Sequence, residues 1–154
     1  MNACHELQTS GNNWPCVPSA FVLHQTNQGP AVLDNLEKQM AQFQAYHDAV
    51  LAEVRKNFIL PRDPSVIAFL NEHKALPDIL IDALPKLRAC FGETSIFSLN
   101  APLDESGSRT IYAVVLWAGP LPSAKEALSR FDNEWWIARA GQAAGHLTFT
   151  YELV

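Results

Sequence analysis

The stretch Thr110-Ile111-Tyr112-Ala113-Val114-Val115-Leu116-Trp117 decides the fold. It is rich in β-branched and aromatic residues and carries no charge, which marks it as a strand. Ile111, Ala113, Val115 and Trp117 share one face, and Tyr112, Val114 and Leu116 share the other. Both faces are apolar, so a further layer is expected over the side opposite the C-terminal helix.

Upstream, residues 94–99 form a shorter strand, and the polar segment 100–109 joins the two as a hairpin loop. Downstream, Leu121-Pro122-Ser123 opens a helix that runs to about Ala138, with Ala124, Ala127, Leu128, Phe131 and Trp135 on its inner face. Residues 146–153 then alternate cleanly. Leu147, Phe149, Tyr151 and Leu153 point inward, and His146, Thr148, Thr150 and Glu152 point outward. The last third is therefore a β-β-α-β unit.

The middle of the chain is helical. Asp63-Pro64-Ser65 is a helix start, with Asp63 able to cap and Pro64 in the first turn. A short amphipathic helix with Val66, Ile67, Phe69 and Leu70 follows. A second helix, residues 77–91, buries Leu80, Leu84, Leu87 and Phe91, with Pro85 kinking or restarting it and Gly92 ending it. Residues 1–29, with a single charge at Glu6, read as a loosely held arm, in which residues 19–24 would form a short strand. The expected architecture is a single α+β domain over residues 30–154. It is a two-layer sandwich with an antiparallel-rich sheet of at least three strands, in the order α-α-α-β-β-α-β.

Residues 30–58 carry the longest pattern. Leu33, Leu36, Met40, Phe43, His47, Val50 and Val54 recur at alternating steps of three and four, a heptad stripe widened by Tyr46 and Leu51. Such a stripe either covers the second sheet face within one chain or pairs with its twin. Glu37, Gln39, Gln44, Tyr46, Leu51 and Glu53 flank it without the opposite charges of a coded coiled coil. The candidate association surface is Leu36, Met40, Phe43, His47 and Val50, and the candidate partner is another protein or a second copy.

Composition removes several function classes. Of 154 residues 48% are apolar and 18% charged, a globular balance. The net charge is −5 and the eleven basic residues form no stripe, so nucleic acid is not an expected partner. No apolar run approaches the ~18 residues of a membrane helix, and no basic residue precedes Lys38 as an ordinary signal peptide requires. The expected setting is the cytoplasm. Cys4, Cys16 and Cys90 have no metal or redox spacing, and Cys90 falls on an apolar helix face as a buried thiol.

No motif for catalysis or phosphate binding is present: no Gly-rich loop, no nucleophile elbow, no His-Glu-x-x-His. The candidate ligand pocket draws on Trp117, Asp132, Trp136 and His146, an aromatic wall with a carboxylate and an imidazole where the last helix gives way to the last strand. In a regular helix Trp135 and Trp136 diverge by about 100°, so Trp136 is expected at the sheet edge or against another chain. Cys4, His5, Cys16 and His24 lack the short-loop spacing of a zinc site. The expectation is no metal and no cofactor.

Phe131-Asp132-Asn133-Glu134-Trp135-Trp136 resembles the Phe-Asp-x-Glu-Trp-Trp box of a family of small uncharacterised bacterial proteins. The likeness extends over residues 65–153, through Phe69-Leu70-Asn71-Glu72-His73 and the Pro-Lys-Leu-Arg helix at Pro85. It implies the fold and no activity. The expected function is a small binding or regulatory protein acting through protein contact, rather than an enzyme. The alternative is a small enzyme or ligand-binding domain using the pocket above.

Overall fold

The computed structural model describes residues 29–154; the arm, apart from Gly29, and its expected strand at 19–24 lie outside the described residues. The order is α1 (Gly29–Asn57), β1 (Phe58–Ile59), α2 (Ser65–Glu72), α3 (Leu76–Phe91), β2 (Ile96–Asn100), β3 (Ile111–Trp117), α4 (Leu121–Phe131) and β4 (Leu147–Leu153). Contacts divide the chain at Ala45/Tyr46, and the unit Tyr46–Val154 holds the sheet.

The α+β class stands, with two corrections. The chain runs α-β-α-α-β-β-α-β, because two residues at the end of α1 add a strand to the sheet. The sheet, in the order β1-β2-β3-β4, is mixed rather than antiparallel-rich: β2 and β3 form an antiparallel hairpin, while β1 pairs parallel with β2 and β4 parallel with β3. The cause is connectivity. Helices link β1 to β2 and β3 to β4, and a helical crossover returns the chain in its original direction.

Local chemistry explains the helix ends. Asp63 accepts hydrogen bonds from the backbone N–H of Ser65 at 2.9 Å and from its hydroxyl at 2.8 Å, tying down the start of α2. Pro77 sits in the first turn of α3, and the helix passes Pro85 as one element. Gly92 ends it at φ +108°, and its N–H donates to the Arg88 carbonyl at 2.8 Å.

One core joins the helices to one face of the sheet. Val54, Leu70, Leu80, Leu87 and Phe131 pack with Phe97, Leu99, Ile111, Ala113, Val115, Leu147 and Phe149. The other face departs from expectation. Val114 is buried there, but Ile59, Ile96 and Tyr112 are exposed and Leu116 is half-buried. Along β4, Leu147 and Phe149 are buried, Tyr151 is half-buried and Leu153 is exposed, so the inward row is covered only at its start.

The aromatic box contains a second departure. After Phe131 the helix widens into a π turn, Asp132–Trp136, in which the N–H of Ile137 donates to the carbonyl of Asp132. A π turn rotates less per residue than an α turn and brings residues five apart over one another. Phe131, Trp135 and Trp136 all meet the Phe149 ring, at centroid distances of 4.9, 6.4 and 4.7 Å. Trp136 therefore packs against Phe149 on the edge strand β4.

Candidate functional site

The heptad stripe divides along α1. Residues 31–46 are all exposed, including Leu33 (62%), Leu36 (48%), Met40 (70%) and Phe43 (57%). Leaving four large apolar side chains on one stripe in water forgoes burial that each could gain against a partner. His47 and Val54 are buried, and Val50 is half-buried. The Nε2 of His47 donates to Asn71 Oδ1 at 3.3 Å, which places that ring inside the compact unit. Val50 instead lines a groove of about 220 Å³ with Tyr46, Glu53, Asp78, Ile81 and Asp82. There the Tyr46 hydroxyl donates to Asp78 at 2.7 Å, a bond that holds the phenol above its ordinary pKa.

The four pocket candidates fall in three neighbourhoods. Trp117 ends β3, where its indole N–H donates to the Pro120 carbonyl at 3.0 Å and its ring meets Phe91 at 5.9 Å. It walls a cleft of about 390 Å³ shared with Thr94, Ser95, Ile96 and Leu116. Asp132 and Trp136 come together in the π turn. Asp132 is half-buried, and this desolvation pushes its carboxyl above the ordinary aspartate range. His146 stands at the opposite end of the sheet from Trp117. Its carbonyl accepts from the N–H of Ile111, and the six residues of β3 beyond Ile111 put Trp117 roughly 20 Å away.

His146 has a companion that sequence reasoning missed. Its ring stacks on that of His73 at 4.1 Å, and Phe69 lies beside both. The only sequence signal was an imidazole at the end of a short helix, and the fold alone reveals its partner. Among the described residues no three potential metal ligands cluster, while Cys4, His5, Cys16 and His24 lie outside them. No described helix is long and apolar enough to cross a membrane.

Compared with family models, with curated proteins and with solved structures, the chain finds no match.

Proposed function

We propose that this is a cytoplasmic protein that works through protein contact, and that its partner at the N-terminal half of α1 is a second copy of the same chain. The observation that carries the reading is the exposed row Leu33, Leu36, Met40 and Phe43. Its heptad spacing suits a helix–helix seam. Of the flanking positions beside the row, Gln39, Gln44 and Tyr46 are neutral and Glu37 is the one that carries a charge. Full burial of such side chains is worth roughly 1.5–3 kcal/mol each. At about half exposure, eight of them across the seam supply roughly 6–12 kcal/mol. Association costs at least about 4 kcal/mol, which leaves at most about 8 kcal/mol and so a dimer no tighter than about micromolar.

The test is the double variant Met40→Glu, Phe43→Glu, followed by light scattering over a concentration series. The native chain should gain mass with concentration and the variant should stay monomeric with unchanged circular dichroism. A native chain that is monomeric at millimolar concentration, or a variant that associates equally, would overturn the reading. The second reading, a ligand-binding domain, draws on the cleft beside Trp117, whose wall is held by a hydrogen bond and an edge contact. A small molecule retained in that cleft through purification would favour it.

A further inference from the structure

We propose that His73 and His146 form a two-imidazole site for a borderline divalent transition ion such as Ni²⁺ or Zn²⁺. The rings come from separate elements, His73 from the C-cap of α2 and His146 from the entry to β4. Their centroids are 4.1 Å apart with planes inclined at 33°. Both residues are half-buried, so the pair is reachable from solvent. Their four ring nitrogens receive no hydrogen bond from the described residues, whereas His47 spends its Nε2 on Asn71. Unspent imidazole nitrogens are good ligands for zinc, nickel and copper.

The backbones that carry the rings are pinned. The N–H of His73 donates to the Phe69 carbonyl and its own carbonyl accepts from Leu76, both at 3.0 Å. The N–H of His146 donates to Ala143 at 2.8 Å, and its carbonyl accepts from Ile111 at 2.9 Å. Two residues before it, Ala144 holds a left-handed conformation at φ +49°, which costs a residue with a Cβ some energy. Only side-chain torsions remain free. The stacked rings need to swing about their Cβ–Cγ bonds, a soft torsion, to bring one nitrogen each to about 2.0–2.1 Å from an ion. Because both ligands sit on one scaffold, the second bond forms at high effective concentration. No carboxylate or carbonyl orients the far nitrogens, as strong sites require. The site is therefore exchangeable, with water completing the shell, and ties the end of α2 to the start of β3 and β4.

The experiment is a Ni²⁺ titration of the full chain followed by ¹H–¹⁵N NMR, where the paramagnetic ion broadens nearby signals. Saturable broadening should centre on Phe69, His73, Gly145, His146 and Leu147. His73→Phe and His146→Phe keep an aromatic ring in the stack and should each weaken binding there at least tenfold while the fold persists. Equal affinity in both variants would overturn the proposal. So would broadening centred elsewhere, for example on Cys4, His5, Cys16 and His24.

Discussion

The Trp136 ring meets Phe149 nearly perpendicular, at 75° and 4.7 Å between centroids, five residues along the helix from Phe131, which meets the same ring at 62° and 4.9 Å. A regular α-helix would swing one of these rings away from the strand. The π turn lets three aromatic side chains share one neighbour, with Trp135 stacked on Trp136 at 6.2 Å.

Phe131 is the centre of this arrangement and is fully buried. Phe131→Ala should lower stability by about 3–5 kcal/mol, the usual cost of emptying a Phe site in a core. Urea denaturation followed by circular dichroism reads the loss. A change under about 1 kcal/mol would mean that the helix does not present this face to the sheet.

Gly119 is held open by Trp117. A Cβ at Gly119 would stand 2.8 Å from the indole ring, which rests against this backbone. Gly119→Ala should force the indole outward, at about 1–3 kcal/mol, the typical cost of overpacking. Denaturation and the Trp117 emission maximum, measured with the other tryptophans replaced by Phe where the fold allows, should shift together.

Asp132 is an acid whose carboxyl is raised by desolvation. Its folded state binds a proton more tightly than the unfolded chain does, so ionisation weakens the fold and stability falls as pH rises through the raised value. Asp132→Asn should be more stable than the native chain at neutral pH. That advantage should shrink as pH falls below the ordinary aspartate range, which paired melts at the two pH values would show.

Asp104 has the opposite sign. Its carboxylate accepts from the backbone N–H groups of Ser106 and Ser108, both at 2.8 Å, and from the Ser106 hydroxyl at 2.6 Å. These bonds lower its pKa, the Ser106 side chain most of all. The stabilisation is complete above the ordinary aspartate value and lost as pH falls through the lowered one. Asp104→Ala should therefore be less stable than the native chain at neutral pH and equal to it in strong acid. Amide exchange in residues 104–108 should speed up in the variant at neutral pH.

The β-β-α-β unit was legible because its signals are long and local: an uncharged run at 111–117, alternation at 147–153, and an amphipathic helix between them. β1 was not, since Phe58 and Ile59 continue α1 without a turn residue and earn their place only by pairing with Phe97 and Ser98. The π turn was hidden because Phe131 and Trp135 fit an α pattern equally well. The stripe on α1 was visible as a pattern, but exposure at Phe43 and burial at His47 are tertiary facts. The His73–His146 pair depends entirely on where α2 ends relative to the start of β4.

The two-residue length of β1 also limits what can grow on that side of the sheet. Among the described residues the edge strand on that side is Phe58–Ile59 alone, too short a ledge to hold an incoming chain seeking a template for fibril-like extension.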